Sequence, residues 1–180
     1  MIEYLTVHIP YPEFWRIVGY YSKHTYVLLW IGMWFAWASY RSKENWNRAR
    51  SLTMGLLVAI SISVLLRMIV PSERPFVIGG FEPLIPHESG RGFPSNHAIS
   101  TAVFAGVFLY DGPRWLGGIF SVLAIIVGSA RVIAGLHFPV DVVSGWFLGL
   151  VAGIGMAHLQ WPRRDWFPQS ISNVLVKPSL

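Results

Sequence analysis

The chain has no cysteine in its 180 residues. That excludes disulfides and thiolate-ligated metal sites outright. Charge is also scarce: 13% of residues are Asp, Glu, Lys or Arg, against about 25% in ordinary soluble domains. The first twenty residues lack a basic start followed by an apolar core, so no secretory signal peptide is expected. What is abundant is apolar: 53% hydrophobic residues and a mean hydropathy of +0.48. A chain of this length has room for one domain. The deficit of charge implies that lipid, rather than water, solvates most of it.

Five apolar stretches can span a bilayer: Thr25 to Tyr40, Ser51 to Leu66, Ser95 to Tyr110, Trp115 to Ala130 and Val142 to Leu159. Most are near 16 residues, roughly 24 Å of helix, a little short of a hydrocarbon core of roughly 30 Å. The arginines that flank them must then lie at the interface or within protein. A soluble all-α core is the alternative, but such runs leave almost no polar face. Met1 to Lys23 mixes tyrosines and Trp15 with charges and reads as an amphipathic interfacial helix, broken near Pro10 and Pro12. The expected organisation is one domain over 1–180. It comprises an interfacial segment (1–23), a transmembrane core (24–160) and a polar cytoplasmic tail (161–180).

The net charge of +5 admits nucleic acid, anionic lipid or a phosphate substrate as partner. Position decides between them. Arg41, Lys43, Arg48, Arg50, Arg114, Arg163, Arg164 and Lys177 fall on one side of the expected spans. Arg16, Lys23, Arg67, Arg74, Arg91 and Arg131 fall on the other. The positive-inside rule makes the first side cytoplasmic and places the N-terminus outside. Three of the outer arginines, Arg67, Arg74 and Arg131, fall in short segments on that side, which points to a phosphate-bearing lipid and not to nucleic acid.

Those segments are Arg67 through Arg74-Pro75, Phe93 through His97, and Arg131 through His137 to Asp141. Arginine presents a planar fork of donors suited to phosphate oxygens. Ser95 stands where a helix begins, so the amides near Ser95 and Asn96 offer an anion site. His97 and His137 can attack, donate or accept a proton near neutral pH. If Pro139 opens the last helix, Asp141 falls in its first turn and can reach back to His137 as the third member of a triad does. Each element has a plainer reading: an interfacial anchor for Arg67, a simple cap at Ser95, a structural hydrogen bond between His137 and Asp141. Zinc wants three or four ligands, and no third carboxylate or cysteine is near. Gathered on one face of so apolar a chain, the set reads as a functional site.

Together the segments resemble the signature of the type 2 phosphatidic acid phosphatase superfamily of membrane lipid phosphatases. That pattern is a basic residue, six residues and Arg-Pro; then Pro-Ser-Gly-His; then Ser-Arg, five residues, His, three residues and Asp. Arg67 stands where the family usually has lysine, Asn96 where it often has glycine, and Ala130 where serine usually precedes the arginine, with Ser129 one place earlier. The resemblance covers about Arg67 to Leu159. It implies an all-α integral membrane enzyme with its active site at the extracytoplasmic ends of the spans, and a two-step displacement needing no metal or other cofactor. Arg67, Arg74 and Arg131, with the amides near Ser95 and Asn96, would hold the phosphoryl group. His137 would be the nucleophile, His97 the acid and base, and Asp141 the residue that orients His137. Pro83 to His87 resembles the corresponding stretch of bacterial undecaprenyl diphosphate phosphatases. Lipid A 1-phosphatases and phosphatidylglycerophosphate phosphatases share the catalytic motifs and stand as alternatives. A non-catalytic lipid-phosphate binding or transport protein is the alternative from another class.

Overall fold

The computed structural model describes residues 8, 10–22, 24, 31–33, 35 and 43–159. These residues form helices and connecting loops, with no strand among them. In chain order the helices are α1 (Pro12–Ser22), α2 (Lys43–Ile69), α3 (Pro75–Gly79), α4 (Asn96–Asp111), α5 (Arg114–Ile133) and α6 (Pro139–His158). Most of the expected Thr25 to Tyr40 span, the first seven residues and the tail after 159 lie outside the described residues.

Among the described residues, three helices are long and apolar enough to cross a membrane: α2 over Asn45–Ile69, α5 and α6. The last two have 20 residues each, about 30 Å of helix and a match to the hydrocarbon core. α5 runs past the apolar stretch Trp115 to Ala130 at both ends. Arg114 and Arg131 sit inside the ends of α5, so the helix does not stop where hydropathy drops. Only 22% of the best window of α2 is buried in protein. Leu57, Val64, Leu65 and Met68 face outward instead, which suits lipid and not water.

α4 is different. It has 16 residues, ten of them buried, and packs against α2, α5 and α6. It is the central post of the bundle. Small residues let its neighbours approach: a Cβ on Gly145 of α6 would lie 2.8 Å from the Ser95 carbonyl oxygen, and one on Gly153 would lie 2.5 Å from that of Val103. Gly149, between them, faces Ile99 in the same way. Such a stripe replaces the hydrophobic effect, which gives no drive between helices in lipid, with close backbone packing. Polar ties hold the register. Arg48 of α2 donates to the carbonyl of Asp111 at the C-terminal end of α4, and Trp146 of α6 donates to Ala124 O of α5 at 3.1 Å.

α1 begins at Pro12, not across it. Proline suits the first helical position, where its missing N–H is no loss. The helix packs against α5, and its buried face includes Gly19 and Ser22. Gly19 meets the Ile85 side chain, in the loop between α3 and α4.

Candidate active site

Three loop segments converge at one end of the bundle. Ile69 to Arg74 leads from α2 into α3, residues 81–95 lead into α4, and residues 134–138 turn from α5 into α6. Backbone bonds lace them together: Gly92 N to Ser72 O at 2.9 Å, Leu84 N to Ala134 O at 3.2 Å, and Ser95 N to Asp141 O at 3.0 Å. Leu84 and Ile85, from the stretch beginning at Pro83, pack against Ala134 and Leu136. That stretch therefore props up the turn carrying His137.

The turn itself is set by sequence. Gly135 adopts φ 77°, a region open to glycine without strain. The amides of Leu136 and His137 then fold back onto Arg131 O at 3.1 and 3.3 Å. Pro139 opens α6 and Asp141 lies in its first turn, as the sequence reading expected. Asp141 Oδ2 accepts the Phe138 amide at 2.8 Å. The same oxygen lies 3.5 Å from His137 Nδ1, and both side chains are almost fully buried. This separation is beyond ordinary hydrogen-bond range, so the link is an electrostatic contact.

The arginines surround this pair. Arg74 Nη1 donates to Leu136 O at 3.0 Å and sits 3.3 Å from His137 Nε2. Arg131 Nη2 sits 2.5 Å from His97 Nε2. Arg67 Nη2 donates to Pro94 O at 2.9 Å, which places it beside the start of α4. A guanidinium can only donate, so Nε2 of each histidine is an acceptor and carries a lone pair. For His137 the proton then belongs on Nδ1, facing Asp141. Burial pushes His137 down to about 4; the Asp141 carboxylate pulls it back up, and the Arg74 guanidinium adds to the downward push. The empty site thus holds a neutral His137 with Nε2 turned toward Arg74.

Ser95 and Asn96 play different parts at the start of α4. The Ser95 amide is occupied by Asp141 O, so it does not face an anion. The first helix-internal bond runs from Ile99 N to Ser95 O, which sets the first turn of α4 over Asn96 to Ile99. What Ser95 offers is its hydroxyl, buried with no hydrogen-bond partner in the structure. The Asn96 side chain points away from any ligand role: its Oδ1 accepts Ser63 Oγ of α2 at 2.8 Å. Asparagine where glycine is usual therefore ties α4 to α2. Arg74 Nε and Asp141 Oδ1 are likewise buried without partners. Buried polar groups are rarely left so, and their clustering marks a place that expects a polar ligand.

Sequence reasoning missed Gly92. It is buried, and a Cβ there would lie 3.3 Å from Asp141 Oδ2, 3.5 Å from Arg74 Cγ and 3.8 Å from His137 Nδ1. Its backbone covers the His137–Asp141 pair and leaves no room for a side chain without displacement. Ser63, the partner of Asn96, was also missed. Both look like ordinary residues in the sequence, and only the three-dimensional contacts mark them. Among the described residues, no group of three or more His, Asp or Glu could hold a metal ion. His158 pairs with Tyr110 at 2.5 Å, and Tyr110 lies near the opposite end of α4 from His97.

The chain is similar to known proteins in sequence and in fold. The chain is 30% identical over 110 residues to the putative undecaprenyl-diphosphatase YbjG of Escherichia coli, covering 61% of this chain and 55% of that protein. It is 29% identical over 108 residues to an undecaprenyl-diphosphatase of Sulfolobus acidocaldarius, covering 57% and 52%. The match thus spans about half the length of these relatives. In fold it resembles the crystal structure of the PAP2-type phosphatidylglycerolphosphate phosphatase of Bacillus subtilis, with TM-score 0.65, 23% identity, and 92% of this chain and 86% of that one covered. The PAP2 superfamily model matches residues 48–165, a stretch that holds all three motif segments and most of the bundle. On that match, the chain belongs to the PAP2 superfamily.

Proposed function

We propose that this protein is a membrane lipid phosphatase that works through a phosphohistidine on His137, with undecaprenyl diphosphate as its substrate. The observation that carries the reading is His137 itself: buried, neutral, backed by Asp141 3.5 Å from Nδ1 and with Nε2 facing a guanidinium. A group built only to bind phosphate needs the arginines. It does not need a buried carboxylate behind one imidazole. The undecaprenyl diphosphate assignment is supported by the names of the two relatives above and by the stretch beginning at Pro83.

In the first step the substrate phosphate draws Arg74 and Arg131 off the two imidazoles and onto its own oxygens. Arg67, the Ser95 hydroxyl and the first amides of α4 complete the cradle. This fixed positive field stabilises the charge that builds on the equatorial oxygens in the transition state. His137 Nε2 attacks phosphorus while His97, protonated from solvent once Arg131 has turned from its Nε2 to the phosphate, gives that proton to the leaving oxygen. Asp141 offsets the positive charge developing on the His137 ring. In the second step His97 takes a proton from water, which attacks the phosphohistidine and releases phosphate. The arginines supply the charge that a metal ion would otherwise provide.

Residues 1–180 are read as one domain with five spans: the three helices above, α4, and the Thr25 to Tyr40 segment. The site faces the extracytoplasmic side of a bacterial inner membrane. Arg48→Cys and Glu88→Cys, made in a chain with no cysteine of its own, report the orientation by impermeant thiol labelling. Only position 88 should react from outside. The deciding experiment assays purified protein and H137A on undecaprenyl diphosphate, phosphatidylglycerophosphate and lipid A 1-phosphate. Wild type should release phosphate fastest from the diphosphate, and H137A should release none while keeping its helical circular dichroism. Phosphate release by H137A refutes the mechanism, and a preference for another lipid refutes the substrate.

A further inference from the structure

A cavity of about 610 Å³ has Arg74, the neighbour of His137, in its wall. His137 and Asp141 do not line it; the Arg74 guanidinium reaches His137 Nε2 from this wall. Its polar side is made by Ser72, Arg74, Ser89 and Arg91, and its apolar side by Val77 and Ile78 of α3. Val77 and Ile78 are themselves exposed, as are Met68 and Ile69 at the end of α2. The cavity therefore runs from a cationic inner end to an apolar rim. Its volume is that of a small-ligand site, far larger than one phosphate needs.

Arg91 is a fourth arginine, outside the three matched to the family motif. Two contacts set its place. Its Nη1 donates to the Arg67 carbonyl oxygen, and the next residue, Gly92, bonds Ser72 O at 2.9 Å. The loop carrying Arg91 is thus stitched across the cavity to the segment carrying Arg74. Glu73 also lines the cavity and is exposed. With Arg74 committed to the group at His137, Arg91 is the other cation among the lining residues, set against the Glu73 carboxylate. Arg91 then supplies the cavity's remaining positive charge, so a second anionic group there depends on it.

We propose that this cavity seats the second, lipid-side phosphate of a diphosphate, and that Arg91 is the specificity-determining residue for diphosphate over monophosphate. The assignment rests on the phosphatase reading above. The terminal phosphorus lies at His137 and the lipid-side phosphate lies past Arg74 against Arg91. The apolar chain leaves along Val77 and Ile78 toward the bilayer. When the His137 Nε2–P bond forms, the P–O bond to the bridging oxygen breaks. That oxygen leaves on the lipid monophosphate, protonated by His97. Arg91 stabilises the leaving group's charge at that moment. A lipid monophosphate places its only phosphorus at His137, and its cavity contacts are apolar alone.

The test compares kcat/KM on farnesyl diphosphate and farnesyl monophosphate for purified wild type, R91A and R91K in detergent micelles. A charge-assisted hydrogen bond lost from the leaving group predicts that R91A lowers the diphosphate-to-monophosphate ratio about ten- to a hundredfold. R91K should restore part of it, because charge returns without the planar fork. Monophosphate turnover in the same samples reports folding. An unchanged ratio, or equal losses on both substrates, overturns the subsite while leaving the phosphatase reading intact. A wild type that hydrolyses neither lipid overturns the phosphatase reading, and this assignment with it.

Discussion

Replacing Asp141 by Asn removes one negative charge from behind His137 and almost nothing else, and its cost follows from the local geometry. Asp141 Oδ2 faces two groups at once: the Phe138 amide at 2.8 Å and His137 Nδ1 at 3.5 Å. An asparagine keeps its carbonyl oxygen there, since the flipped amide would aim N–H groups at another donor. The tautomer of His137 is therefore retained, unlike the serine-protease case, where loss of the aspartate charge selects the wrong tautomer and costs about four orders of magnitude. What is lost is attraction to the developing ring charge. Two unit charges 3.5 Å apart interact by about 5 kcal/mol at an effective dielectric constant of about 20. That corresponds to roughly three orders of magnitude in rate if a full charge forms, and to about fiftyfold if half a charge forms. We expect D141N to lower kcat about fifty- to several-thousandfold, with KM changed less than about threefold because the arginines remain. R131A should raise KM as well as lower kcat. Steady-state phosphate release on one lipid gives both constants. A strong rise in KM with kcat intact would make Asp141 a substrate contact and refute the reasoning, as would a kcat loss below threefold.

Gly92→Ala puts a methyl group 3.3 Å from Asp141 Oδ2; the pair must shift by a few tenths of an ångström, and kcat should fall about tenfold with KM nearly unchanged, while wild-type kinetics would show that Gly92 covers nothing that matters. His137 is held down at about 4 by burial, so in the empty protein its ¹⁵N resonances should report a neutral ring until the pH nears that value; titration near 6.5 would contradict the buried geometry. The stability consequence has a definite sign: the unfolded chain binds this proton below about 6.5 and the folded one only below about 4, so stability falls as pH drops between those values, read as a falling Tm in detergent. Phosphate release should persist in excess chelator; loss that a divalent ion restores would give the phosphoryl group a metal partner in place of the arginines.

The polar residues of the site were legible because each is costly in so apolar a chain. Arg74, Arg131, His137 and Asp141 are all buried, and a chain dissolved in lipid keeps such groups only where they meet one another or a ligand. Local rules also worked where they had one answer. Pro139 could begin a helix but not continue one, and that placed Asp141 on the first turn facing back toward His137. The same rules failed where a backbone group had two candidate partners. Ser95 stands at a helix start, and a helix start suggests amides open to an anion. Nothing local says that the Asp141 carbonyl, 46 positions on, takes the Ser95 amide at 3.0 Å. That contact is tertiary, made when α6 lies against α4 along Gly145, Gly149 and Gly153.

Gly92 shows the same limit from the other side. Beside Gly90 it looks like loop punctuation, where glycine is common for conformational reasons. Its φ is not positive, so no backbone constraint demands it. The constraint is spatial: the atoms a side chain would meet belong to Arg74, His137 and Asp141, drawn from two other loop segments. Those segments and the loop holding Arg91 meet only because three helix ends converge on one side of α4. The motif residues could be found one segment at a time, since each carries its own charge. The residues that shape the space around them, Gly92 as cover and Arg91 across the cavity, acquire meaning only after the segments are brought together. For that reason the proposed choice between lipids, made in the cavity beyond Arg74, rests on residues the family motif does not include.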